Sequence, residues 1–292
     1  MGPISIVEAP SGLGLGTPGV QGLSARLLEL GLGEALGAKV AARVEPPAAS
    51  GEIDPATATL NRRELVHFSK DLADAVEAIL ARREFPLILG GDCSILLGSA
   101  LALRRRGRYG LLFIDGNADF FQPEVNPNGE AASMDLAFAT GHGPSQLADL
   151  EGLGPSIRDE DAVAFGWRDH EDQAEYGSQP LPAAMGSFDL PAIRSLGVER
   201  AVDAALGRLT GAPTAGFFIH LDADVLDDAV MPAVDYRIPD GLSLAELEMV
   251  LRRAVGTGAA VGLEVAIYNP RLDEDGTAGE RLTHLLVRSL QP

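Results

Sequence analysis

The chain predicts an α/β domain built on a parallel sheet, and three observations carry that expectation. Short apolar runs such as Phe85–Leu89 and Leu111–Ile114 end abruptly in Gly or Asp, as strands buried on both faces of a sheet do. Stretches with apolar residues at helical spacing separate them. The unit running from Phe85 through Arg104-Arg-Arg106 to Ile114 is strand, helix, strand, which requires parallel pairing. At 292 residues the chain suffices for one large domain or two small ones. It holds no repeat, low-complexity tract or linker, so a single domain over 1–292 is the economical organisation.

The elements follow in order. Ile4 to Val7 predicts a first strand, and Ser11 to Gly19 a loop whose glycines at 12, 14 and 16 miss the G-x-G-x-x-G spacing of a dinucleotide site. Leu23 to Leu30 predicts a helix. Val44 to Asn61, with Pro46, Pro47, Gly51 and Pro55, predicts a surface connection, and Asn61 a cap for the next helix. That helix carries a stripe of Leu65, Phe68, Leu72, Val76 and Ile79, with His67 outside it. Phe85–Leu89 then leads into Gly90-Gly-Asp-Cys-Ser94 and a helix whose terminal arginines suit its dipole. Cys93, near that helix N-terminus, is expected to have a lowered thiol pKa.

Gln122 to Glu130 is a loop and Ala131 to Thr140 a helix. Ala162 to Phe165 is a strand ending at Gly166-Trp-Arg-Asp169-His-Glu171. Leu190–Leu196 and Glu199–Leu209 are helices. The rest comprises a strand ending at Asp222, a loop from Met231 to Pro239, a helix from Ser243, a strand from Ala259 to Val265 and a last helix through Leu290.

Composition narrows the function. A net charge of −19 argues against nucleic acid or anionic membrane as partners and draws in small cations. One cysteine excludes an internal disulfide and suits a reducing cytoplasm. The N-terminus has neither signal-peptide nor myristoylation pattern. The longest apolar stretch, Phe85 to Leu103, is broken by Gly90, Gly91 and Asp92, which excludes a membrane span there.

The chemistry gathers at two strand ends. Asp115 and Asp119 follow Leu111-Leu-Phe-Ile114 with Gly116 between them, and Asp222, Asp224 and Asp227 follow Phe217-Phe-Ile-His-Leu221. Ligands of open α/β sheets bind beyond the carboxyl ends of the strands. Were the two strands neighbours, at least four carboxylates would converge and repel one another unless a cation lay among them. This predicts a metal centre, with two ions the expected number. Asp92 and Asp227 are expected to hold turns, His142 and His170 to lie at the surface, and Trp167 to pack or to form a pocket wall; His220 has no assigned role.

These stretches resemble the ureohydrolases, the arginase/agmatinase/formimidoylglutamase family. Gly90-Gly-Asp-Cys-Ser94 is similar to the family's Gly-Gly-Asp-His-Ser, and Asp115-Gly-Asn-Ala-Asp119 to its Asp-Ala-His-x-Asp. Asp222-Ala-Asp-Val-Leu-Asp227 is similar to Asp-x-Asp-x-x-Asp-Pro, and Gly262-Leu-Glu-Val-Ala-Ile-Tyr-Asn-Pro270 to the closing Gly-(Phe/Leu)-Asp-x-x-Glu-Val-x-Pro. The resemblance implies a three-layer α/β/α fold with a central mostly parallel sheet, a trimer or hexamer, and hydrolysis of a linear amidine or guanidino compound by water activated between two Mn2+ ions. Asp115 and Asp222 would bridge the ions, with Asp119 on one and Asp224 on the other. The family's histidine ligands fall on Cys93 and Asn117, its catalytic glutamate on Ile267 and a loop histidine on Ala132. Glu264 could partly replace that glutamate, and Asp169 and Glu171 match acidic positions facing substrate. A thiolate at Cys93 would shift preference toward Zn2+, Fe2+ or Ni2+, and Asn117 would leave one ion weakly held.

Four other readings are weaker. A divergent relative that binds a cation without turnover fits the lost histidines. A phosphatase motif around Phe217–Val225 would come too late in the chain. A Cys93 hydrolase has no identifiable histidine partner, and the calcium-loop reading of Asp222–Asp227 fails for want of glycine at its sixth position.

Overall fold

The computed structural model describes residues 2–291. The chain runs β1 (Ile4–Glu8), α1 (Leu23–Glu29), α2 (Leu32–Leu36), β2 (Lys39–Arg43), β3 (Ile53–Asp54), β4 (Thr59–Leu60) and α3 (Arg62–Ala81). There follow β5 (Phe85–Leu89), α4 (Leu96–Arg106), β6 (Gly110–Ile114), α5 (Asp135–Ala139), α6 (Ser145–Ala148) and β7 (Ala162–Phe165). Next come α7 (His170–Tyr176), β8 (Gly186–Phe188), α8 (Leu190–Leu196) and α9 (Val198–Gly211). β9 (Phe217–Asp222), α10 (Leu244–Gly256), β10 (Ala260–Ala266) and α11 (Thr277–Leu290) end it.

Eight strands form one sheet in the order β2-β1-β5-β10-β9-β6-β7-β8, and every pairing is parallel. β5, β6 and β9 are buried at every position, which is why they read as unbroken apolar runs. α3 packs on α4, while α10 packs on both α9 and α11. The α/β/α layering therefore stands as the resemblance implied. The buried stripe of α3 is the predicted one.

Register decides what meets at the site. Phe113 of β6, His220 of β9 and Glu264 of β10 lie in one row across adjacent strands. Ile114 pairs with Leu221 in the next row, so Asp115 emerges beside Asp222. A close approach sustains the β5 end: a Cβ on Gly91 would lie 1.6 Å from the Ser11 carbonyl oxygen. Gly91→Ala is expected to cost at least about 3 kcal/mol, seen as a drop of roughly 6 °C or more in melting temperature.

Local expectations fail where packing is thin or side chains are diverted. β2 and β8 are short edge strands with little apolar signal, and β2 is largely exposed. The expected loop from Val44 to Asn61 contains the β3–β4 hairpin. Asn61 does not cap α3 with its side chain; it is left-handed at φ 50°, donates to the Leu13 carbonyl and accepts from Gly51 N–H. The helix expected over Ala131–Thr140 breaks at Met134 into a 3-10 turn and α5.

Candidate metal centre

The carboxyl ends of β5, β10, β9 and β6, the four central strands, lie side by side. Cys93, Ile267, Asp222 and Asp115 follow them in that order. Short turns tie each acid to backbone. Asp115 Oδ1 accepts from Asn117 N–H at 2.6 Å, Asp222 Oδ1 from Asp224 N–H at 2.7 Å, and Asp224 Oδ1 from Gly116 N–H at 2.9 Å. One oxygen of each carboxylate is thus spent on the scaffold. Asp92 only holds a turn, as expected, accepting from Gly14 and Ser94 N–H.

The remaining donor atoms point inward. Cys93 Sγ donates to Asp222 Oδ2 at 2.7 Å, and Asn117 Nδ2 donates to Asp224 Oδ2 at 2.8 Å. Asp115 Oδ2 is buried without a hydrogen-bond partner. Donor atoms of Cys93, Asp115, His220 and Asp222 all lie within 4.8 Å of one another, and so do those of Cys93, Asp119 and Asp135. The Asp115 and Asp222 side chains therefore converge closely enough to share an ion.

So much buried acid is costly without a cation. Burial, with the charges of Asp115, Asp135, Asp222 and Asp224, pushes Asp119 well above the usual carboxylate range. Burial and the neighbouring aspartates do the same to Asp222 and Asp135. Asp224 is carried to about 7, by burial and then by Asp115. The lowered thiol expected at Cys93 is overturned: burial and the charges of Asp222 and Asp115 push it up. A helix N-terminus cannot offset a ring of carboxylates around a fully buried sulfur.

A cavity of about 410 Å³ opens over these groups. Cys93, Asn117, Asp119, Asp222 and Asp224 line it, with Asp169 and Asp172 on α7's side and Tyr236 and Ile267 elsewhere. Asp169 is held by Ala118 N–H and Gln173, keeps Oδ2 unpartnered, and is raised by burial to about 6. Glu171 is exposed and does not line the cavity. One residue further round α7, Asp172 does, because successive helical residues point about 100° apart. Arg168 braces the rim by donating to the carbonyls of Asp224, Ile238 and Pro239.

Glu264 needs correction as a catalytic candidate. It is fully buried, accepts from Ser99 Oγ at 2.5 Å and contacts His220 Nδ1 at 2.7 Å, away from the cavity. Its β10 position places it in the His220 row, two residues short of the strand's end. Ile267 reaches the cavity instead, at φ 70°, and Asp119 sits at φ 45°; both conformations are strained for these residues. Sequence reasoning missed His220 and Asp135 as members of the cluster. Strand alternation, which puts residues 220 and 222 on one face, was a usable signal for the first. No local pattern marks Asp135. His142 and His170 pair with Asp159 and Asp189 outside the cluster.

Known proteins share this framework. The chain is 28% identical over 228 residues to an arginase of Bacillus subtilis, covering 77% of this chain and 75% of that one. It superposes on the native arginase of Bacillus caldovelox with a TM-score of 0.89 at 25% identity, covering 100% and 99% of the two chains. A Trypanosoma cruzi formiminoglutamase solved with Mn2+ shares the fold, at a TM-score of 0.73, 17% identity and 99% and 92% coverage. The model of the arginase family matches residues 48–291, which includes the Cys93, Asp115, Asp222 and Ile267 strand ends. Fold, order of strand-end acids and family match agree, and the chain belongs to the arginase family.

Proposed function

We propose that the chain is a metal-dependent hydrolase of a non-peptide C–N bond in a small linear amidine or guanidino compound. The observation that carries this reading is the convergence of Asp115 and Asp222, from separate strands, beneath a cavity lined by further acids. The family's two-ion arrangement fits only in part. The unpartnered Asp115 Oδ2 and the Cys93 thiol beside Asp222 suit a cation. At the second position Asn117 points its amide N–H₂ at Asp224, which a ligand would not do. The residues therefore fit one ion well and a second poorly.

When bound, such an ion supplies a Lewis acid and lowers the pKa of water. The chain does the remainder. Asp169 and Asp172 attract and orient a cationic substrate on one wall. With its carboxyl near 6, Asp169 can also exchange a proton close to neutrality from this wall, whereas Asp224, near 7, belongs to the floor. Ile267 keeps its wall dry and carries no proton. Asp119, Asp222 and Asp224 form the floor and would be ionised there only with a cation among them.

Metal-loaded protein incubated with a panel of guanidino and amidino compounds should release urea or ammonia and an amine. Silence across the panel with Mn2+, Zn2+, Fe2+ and Ni2+ counts against hydrolysis. The aliphatic Ile267 wall favours a second reading, a relative that binds a small cation without turnover; calorimetric binding without product formation distinguishes it. Asn117→His is expected to raise metal content from one ion per chain toward two and to increase turnover at least tenfold, checked by elemental analysis and product assay. A homo-oligomer, trimer or hexamer, in a reducing cytoplasm completes the proposal, and sedimentation velocity tests the assembly. No helix among the described residues is long and apolar enough to cross a membrane.

A further inference from the structure

His220 is the one buried histidine, and its surroundings are those of a metal ligand. Its Nδ1 lies 2.7 Å from Glu264 Oε1, and Ser99 holds the other oxygen of that carboxylate at 2.5 Å. The Phe113 ring stacks on the imidazole, with centroids 4.6 Å apart and planes 7° from parallel. Ring plane and Nδ1 are thereby committed. Nε2, fully buried, is left without a hydrogen-bond partner and faces the equally unpartnered Asp115 Oδ2 at 3.8 Å. Metal-bound histidines typically give their other ring N–H to a carboxylate, which fixes the tautomer and raises ligand basicity. Here that support exists in full, and two orphaned donors aim at one point.

We propose that the chain binds a single divalent ion of borderline softness through Cys93 Sγ, Asp115 Oδ2, His220 Nε2 and an Asp222 carboxylate oxygen. Glu264 and Ser99 act behind His220 as positioning residues. These four donors lie within 4.8 Å of one another, and the 3.8 Å separation of nitrogen and oxygen approaches the roughly 3.3 Å edge of a zinc tetrahedron. A set of one sulfur, one nitrogen and two oxygens favours Zn2+ or Co2+ over Mn2+. On binding, the Cys93 thiol proton and the proton carried on His220 Nε2 pass to solvent, and Nδ1–H stays on Glu264. In this arrangement His220 supplies the imidazole that Cys93 and Asn117 no longer supply, from below the cavity floor. The inference rests on the metal part of the proposed function alone, not on turnover.

Titrating metal-free protein with Co2+ tests it. One cobalt per chain is expected, with a thiolate-to-cobalt charge-transfer band in the near ultraviolet. Cys93 is the chain's only cysteine, so the band has a single source, and Cys93→Ser should abolish it. Proton NMR of the unmodified cobalt protein should show one strongly shifted, slowly exchanging imidazole N–H, the Nδ1 proton held by Glu264. That measurement needs no variant to fold. Glu264→Gln should weaken cobalt binding about 10–100-fold while keeping the band. Two ions per chain without a thiolate band, no shifted imidazole N–H, or unchanged affinity in Glu264→Gln overturns the proposal. A two-ion result with turnover would leave the hydrolase reading intact, and cobalt bound as described without turnover would remove only that reading.

Discussion

Asp115→Asn is expected to abolish metal binding and hydrolysis while making the metal-free protein more stable at pH 8. Asp115 contributes the oxygen that faces both His220 and the Cys93–Asp222 pair. Its charge also raises Asp119, Asp222, Asp224 and Cys93. The amide keeps an oxygen for Asn117 N–H but removes that charge, so repulsion among the others falls. With position 115 neutral the remaining buried acids repel one another less, and the metal-free melting temperature should rise by a few degrees, on the order of 1 kcal/mol. Loss of the attraction to His220 works the other way, and Glu264 continues to hold the imidazole. Metal affinity should fall at least about 100-fold, since a primary ligand matters more than the outer partners whose loss costs 10–100-fold. Calorimetry of both proteins without metal and cobalt titration check the two halves. A metal-free variant less stable than the parent at pH 8 would mean that the carboxylates are not straining the fold.

The metal-free protein should be most stable in mild acid and lose stability as pH rises toward 8. Asp169, ordinarily near 3.8, is raised by burial to about 6, and Asp224 to about 7. Between the unfolded and folded values the native state holds a proton that the unfolded chain has released, so raising pH through that window favours unfolding. Asp169 alone amounts to about 3 kcal/mol, a fall of roughly 6–12 °C. His220 acts in the same direction. Burial opposes its charge, yet Asp115 and Glu264 carry it to about 10, so its contribution is present below about 6.5 and lost toward 10. On the acid side, Asp54 and Glu84 are lowered by Arg62 and Arg82, and their support disappears as pH falls through those lowered values. A saturating divalent ion should cancel the loss between pH 5 and 8, because it holds the carboxylates ionised in the native state. Melting curves at several pH values, with and without Zn2+, check this; a metal-free melting temperature constant or rising from pH 5 to 8 would refute it.

The site was legible in the sequence wherever its residues are contiguous with a strand end. Asp115, Asp119, Asp222 and Asp224 each follow an apolar run within a few positions, and all four lie in the cluster or line its cavity. Glu264 and Glu171 show the limit of that reasoning. Glu264 stands three residues before Ile267, which reaches the cavity, and Glu171 one residue before Asp172, which does so from α7. The resemblance supplied their neighbourhood but not their direction, which depends on strand parity and helical turn.

By itself, the sequence determined the buried strands, the helices that alternate with them, their parallel arrangement and the acids at their ends, because apolar periodicity and strand-end punctuation are local properties. Only the tertiary structure decided that Phe113, His220 and Glu264 share a row, that Asp135 joins the cluster from a distant short helix, and that the Cys93 thiol is raised rather than lowered. Those outcomes depend on register between strands and on the summed field of charges brought together from the whole chain, and neither is written in any one stretch of it.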